Sequence, residues 1–230
     1  MINDLITASD VSLVLKERNK AVFEIKPLSP GYGVTLGNAL RRVLLSSLPG
    51  AAITKVKIEN VPHEFTTIPG VLEDVLDIVL NLKQVRIKME IEGPAELKLE
   101  VKGKGEVRAK DIQTPAGVEI VNKDLTLFTI TSDETEVKMS LLVEKGRGYV
   151  PSELLSQERL LPGEIRLDAN FSPIRNAVYE VENYRYLART DYNLLRLTIE
   201  TDGTMDPTEA FKEACRILIN QFNSLLENLQ

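Results

Sequence analysis

The chain has 230 residues, enough for one large domain or two small ones, with about 70% of the unfolded surface buried on folding. Hydrophobic residues at 43% and charged residues at 27% are ordinary for a globular protein and exclude a disordered or collagen-like chain. The 28 basic and 34 acidic residues leave a net charge of −6, which argues against a protein that wraps nucleic acid.

In chain order, the first strand fits Lys20–Leu28. A helix follows over Thr35–Leu48, with Leu36, Ala39, Leu40, Val43, Leu44 and Ser47 on one face. Ile53–Val61 reads as a strand and Val71–Leu82 as a second helix carrying Leu72, Val75, Leu76 and Val79. Strict alternation then marks Val85–Glu92, Glu96–Lys102 and Glu136–Glu144 as half-exposed antiparallel strands. Gly93-Pro94, Gly103-Lys104-Gly105 and Pro115-Ala116-Gly117 punctuate them as turns. Leu125–Thr131, Ala177–Ala188 and Leu194–Thr201 complete the strands, so the fold class is α+β.

The third helix, Pro207–Leu229, opens with Asp206 as N-cap, Pro207 at the first helical position and Glu209 where a capping-box acid belongs. Phe211, Ala214, Leu218, Phe222, Leu225 and Leu229 form its main stripe. Ile217 flanks one side, and Cys215, Ile219 and Leu226 the other. So wide an apolar arc needs two packing partners, a sheet beneath and a second subunit alongside, unless the helix sinks into one large core. On the first helix, Asn38, Arg42 and Leu45 fall opposite the main stripe and Arg41 at its margin. Between Thr35 and Ile58 stand Arg41, Arg42, Lys55 and Lys57 with no acid, which reads as a contact spot or a solvated basic face.

Candidate chemistry is sparse. A single cysteine, Cys215, excludes an intrachain disulfide and a cysteine zinc cluster, and the single histidine, His63, excludes any site needing two imidazoles. Gly31-Tyr32-Gly33 with Gly37 has GxGxxxG spacing, no parallel βαβ context and no following lysine, so these glycines shape a helix entry rather than cradle phosphate. Glu73, Asp74 and Asp77 could hold a divalent cation, but acids at a helix start more simply favour its dipole. No cofactor or metal is expected. No apolar run reaches the roughly 18 residues of a membrane span, and MINDLITASD lacks the form of a secretion signal, so the expected location is the cytoplasm.

The motifs are more specific than the pattern. Pro27-Leu28 followed by GYGVTLGNALRRVLLSSLPG at 31–50 resembles the signature of the bacterial RNA polymerase alpha subunit, amino-terminal domain. Similar blocks follow in family order: His63-Glu64-Phe65, Ile68-Pro69-Gly70-Val71, Glu73-Asp74-Val75, Asn81-Leu82-Lys83, GRGYVP at 146–151, Phe171-Ser172-Pro173, Arg189-Thr190-Asp191 and TDGTMDPTEA at 201–210. The chain departs from the family at Ser29-Pro30-Gly31, where Glu-Arg-Gly is common.

The resemblance implies a discontinuous dimerisation domain, 1–48 and 168–230, and an inserted β-rich domain at 49–167. It implies a homodimer made by Leu36, Leu40, Val43 and Leu44 with Phe211, Leu218, Phe222, Leu225 and Leu229. It further implies a beta-subunit contact through Asn38, Arg41, Arg42 and Leu45, and a beta-prime contact through Lys83 and Leu167. The chain would then be an assembly scaffold, a subunit of a nucleotidyltransferase with no catalytic residues of its own. Family members continue past the position of Gln230 into a small domain that touches promoter DNA, so direct DNA contact is not expected here. The competing reading is a free-standing homodimeric module that binds a ligand or another protein and has no part in transcription.

Overall fold

In the computed structural model of the chain, residues 8–155 and 161–229 are described, so the first seven residues of the expected dimerisation segment lie outside that range. The α+β chain divides into two compact units. Unit 1 joins the two ends, Met1–Leu48 and Ser172–Gln230, and unit 2 is the continuous stretch Pro49–Phe171.

Unit 1 begins with β1 (Asp10–Lys16), β2 (Lys20–Leu28) and α1 (Tyr32–Ser46). Unit 2 contains β3 (Pro49–Ile58), α2 (Val75–Leu82), β4 (Ile87–Met89), β5 (Ala95–Lys102), β6 (Gly105–Arg108) and β7 (Val118–Ile120). It continues through β8 (Thr126–Ile130), β9 (Glu136–Arg147), β10 (Tyr149–Val150), β11 (Glu164–Arg166) and β12 (Ala169–Asn170). The chain returns to unit 1 as β13 (Ile174–Tyr186), β14 (Arg189–Thr201) and α3 (Pro207–Glu227).

The sheet of unit 1 runs β1-β2-β14-β13, all antiparallel, so its two middle strands come from opposite ends of the chain. Alternation along β2 buries Ala21, Phe23 and Ile25 on the face that meets Leu195, Leu197 and Ile199 of β14, and α1 and α3 cover that face. Phe23 and Phe211 stack at 4.8 Å between centroids with planes 15° apart. Asp206 caps α3 as its spacing predicts, accepting from the Thr208 N–H at 2.8 Å. Glu209 does not close a capping box; its carboxylate takes Lys212 instead, at 2.8 Å.

In unit 2 the main sheet runs β5-β9-β3-β4-β7, and β3 is shared along its other edge: β4 pairs at Ala51, while β11 pairs at Lys55–Lys57. The buried alternates Leu97, Leu99, Val137, Met139, Leu141 and Val143 join Val75, Ile78, Val79 and Leu82 of α2 in one core. Unit 2 ends at Phe171 rather than at 167, because Ala169 and Phe171 are buried with Ala52. Gly146 permits that packing, since a Cβ there would stand 2.6 Å from the Phe171 ring.

Several elements differ from the sequence pattern. The turn expected at Gly103-Lys104-Gly105 is present, but β6 after it leaves the main sheet and pairs with β8. The second helix starts at Val75, not Val71, because Asp74 caps it and accepts from Asp77 N–H at 2.7 Å. Its inward face is consequently Val75, Ile78, Val79 and Leu82, which leaves Leu72 and Leu76 exposed. Strands β1, β6, β7, β10, β11 and β12 are too short or too exposed to carry a clear alternation.

Candidate subunit-contact surfaces

The first helix is seated by glycine and by one asparagine. Gly31 takes a left-handed φ of 84° and turns the chain into α1. Asn193, buried in β14, accepts at its Oδ1 from the N–H of Gly31 at 2.9 Å and of Gly33 at 3.3 Å. The amides that a phosphate loop would offer are partly taken by this side chain. Gly33 and Gly37 face the sheet at the closest approach of the helix. A Cβ at Gly33 would meet Val181 at 2.7 Å, and one at Gly37 would meet the Tyr179 ring at 2.6 Å. Sequence reasoning missed Asn193; the signal was a lone amide in an apolar strand.

Drawing α1 so close to the sheet decides which of its residues remain free. Leu40 and Leu44 are buried inside the core of unit 1, Leu44 to 0% exposure, so neither presents a surface to a partner. Leu36 and Val43 stay half-buried at the margin. Asn38, Arg41 and Arg42 are exposed, but they are not equivalent. Arg41 Nε donates to the Ala177 carbonyl of β13 at 3.0 Å, which fixes the helix to the sheet edge. The Arg42 guanidinium has no hydrogen bond or ion pair among the described residues. Leu45 does not point outward as its helical position predicts; it is half-buried and packs against the unit 1 core.

The third helix behaves in two halves. Ala210 and Ala214 are buried, and Phe211, Cys215, Ile217 and Leu218 pack partly on the core. Beyond them the same stripe runs on with nothing beneath it among the described residues. Phe222 is 60% exposed, Leu225 61%, Leu226 67% and Leu229 83%. Large apolar side chains grouped so closely on one helix mark a contact surface.

In unit 2, Lys83 caps the C-terminus of α2 and its ammonium lies 2.8 Å from Asp168 Oδ2, while Asp168 Oδ1 accepts from the Ser152 N–H at 2.9 Å. The Lys83 hydrogen bond, then the Ser152 amide, hold the Asp168 carboxyl well below the usual carboxylate range. Leu167 is 0% exposed and lies in the unit 2 core, its amide bonded to the Thr54 carbonyl at 2.9 Å. A side chain buried to this extent offers no surface of its own, against the direct contact expected at position 167. Two of the three acids considered for a cation, Glu73 and Asp74, are engaged locally. Glu73 accepts from Thr129 N–H at 2.7 Å and Thr129 Oγ1 at 3.1 Å, and Asp74 is the helix cap. Among the described residues no group of three or more His, Cys, Asp or Glu gathers as a metal site, and no helix is long and apolar enough to cross a membrane.

Comparison with known proteins gives these surfaces a context. Residues 56–172 match the RNA polymerase Rpb3/RpoA insert domain, which defines the class: a polymerase subunit in which a β-rich insert interrupts a unit built from the two ends of the chain. A DNA-directed RNA polymerase subunit alpha from Roseiflexus sp. (strain RS-1) is 47% identical over 223 residues, covering 96% of this chain and 68% of the relative. That of Lawsonia intracellularis is 50% identical over 201 residues, 87% of this chain and 58% of the relative, and that of Rubrobacter xylanophilus is 46% identical over 215 residues, 94% and 68%. The chain belongs to the family of DNA-directed RNA polymerase alpha subunits.

Proposed function

We propose that the chain is the homodimeric scaffold on which the beta and beta-prime subunits of a cytoplasmic RNA polymerase assemble. Unit 1 is the dimerisation domain and unit 2 the inserted domain. The chain lends the nucleotidyltransferase its frame, and the catalytic atoms reside in the large subunits. The observation that carries the reading is the apolar C-terminal half of α3, left bare in a single chain. A second copy gives it cover, with Leu36, Val43, Phe211 and Leu218 at the margin of the contact. One dimer presents the Asn38, Arg41 and Arg42 face twice, so one copy meets beta and the other beta-prime, and symmetry is lost only on assembly. Lys83 belongs to the beta-prime side.

The test is reconstitution. Light scattering of the chain alone at micromolar concentration is expected to give twice the chain mass, and Phe222→Glu to give monomer. Incubation with separately expressed beta and beta-prime is expected to yield a complex containing two copies of this chain. A monomeric unmodified chain, or a dimer that captures neither large subunit, overturns the proposal.

A further inference from the structure

Four strands and two helices do not match in width. Helix α1 packs on β13 and β14, and α3 on β14 and β2. The register places Val11 and Leu13 of β1 opposite Ile25 and Phe23, and so on the helix-bearing side of the sheet. Yet Val11 is 54% and Leu13 44% exposed. They form an apolar shelf beside the flank of α3 on which Cys215, Ile219 and Leu226 fall at helical spacing. Strand β1 is also an edge, with one row of backbone groups unpaired, and Val14 and Leu15 are exposed at its bulge.

The bare half of α3 cannot fill this shelf in its own chain, because Pro207–Glu227 is one unbroken helix and both surfaces are exposed together. A second copy brings the missing half of each. From Ile219 to Glu227 the helix is about 14 Å long, and the seven residues of β1 span about 23 Å, so the tail can lie within the length of the strand that carries the shelf. The large apolar side chains of the shelf (Val11, Leu13) and of the bare half of α3 expose on the order of 750 Å² together, close to one partner's share of a standard interface.

We infer that, in the dimer, the C-terminal half of α3 from each protomer lies across the Val11–Leu13 shelf of the other. This rests on the dimer reading above and specifies which surface receives the tail. Two-fold symmetry makes the contact twice, and it closes the assembly by covering β1, the edge at which a third copy could otherwise add.

The test is site-directed cross-linking in a Cys215→Ser background. Protomers carrying Val11→Cys are mixed with protomers carrying Leu226→Cys and treated with a bismaleimide of about 10 Å reach. A covalent heterodimer is expected in most of the mixed dimers, and an Asn220→Cys protomer, off the stripe, is expected to react at least fivefold less. Independently, Val11→Lys is expected to weaken the dimer tenfold or more, and Leu226→Glu in the same chain to restore most of the loss. A dimer by light scattering with no Val11–Leu226 cross-link and no charge rescue overturns this inference and leaves the dimer standing. A monomer overturns both.

Discussion

Lys83 and Asp168, 85 positions apart, meet in a 2.8 Å ion pair that ties the end of α2 to the link between β11 and β12. The depressed Asp168 carboxyl stabilises the fold above the ordinary carboxylate pKa of about 4 and ceases to do so as pH falls through its lower folded value. Asp168→Ala is expected to cost about 1–2 kcal/mol at pH 7, because a charged pair and the Ser152 amide bond are lost together. Denaturant titrations of both proteins check it: the difference should hold from pH 7 to about 5 and shrink steadily below 4. A constant difference down to pH 2 assigns the effect to packing.

Asn193 is the hinge pin of the α1 entry, accepting from two backbone amides while 8% exposed. Asn193→Ala leaves both amides without this acceptor and is expected to destabilise unit 1 by about 1–3 kcal/mol. Asn193→Asp, which keeps the acceptor, should lose less. Thermal unfolding of the two variants, read by circular dichroism, decides whether the acceptor or the volume matters.

Arg41 and Arg42 are neighbours with opposite expectations. Arg41→Ala removes the bond to Ala177 and should lower stability by about 0.5–1.5 kcal/mol. Arg42→Ala removes an unengaged cation and should leave the unfolding midpoint within error. It should nonetheless reduce capture of the beta subunit roughly 30-fold, the equivalent of about 2 kcal/mol at an interface arginine. Capture assays run beside thermal melts separate the two; unchanged capture by Arg42→Ala moves the partner surface elsewhere.

The sequence made the alternating strands and the start of α3 legible, because period and capping are local; its end, expected at Leu229, falls at Glu227. Lys20–Leu28 is read to the residue, and Asp206-Pro207 marks the helix start. Leu40 and Leu44, expected on a dimer face, are buried in the chain's own core for a physical reason. A 3.6-residue period shows that a face is buried, not which body buries it, and here the glycines at 33 and 37 pull that face onto the chain's own sheet. Leu167, which the resemblance implied as a beta-prime contact, is likewise a core residue in this chain. Strand β1 stayed hidden because Val11, Leu13, Val14 and Leu15 show no clean alternation once a bulge shifts the register.

The pairing of β2 with β14 also sets a timetable for synthesis. Arg196 reaches Glu24 at 2.8 Å across 172 positions, and Leu195 and Leu197 lie beside Ile25 and Phe23. A ribosome delivers β1, β2 and α1 first, then all of unit 2, and only afterwards the strand that completes the first sheet. At about 5–20 residues per second the apolar face of β2 waits on the order of ten seconds. Unit 2, contiguous in sequence, can close within that interval. The nascent first segment is therefore the stretch that a chaperone would have to shield, and a chain ending before β13 would carry a finished insert attached to a β1–β2 hairpin with one edge and its apolar face open.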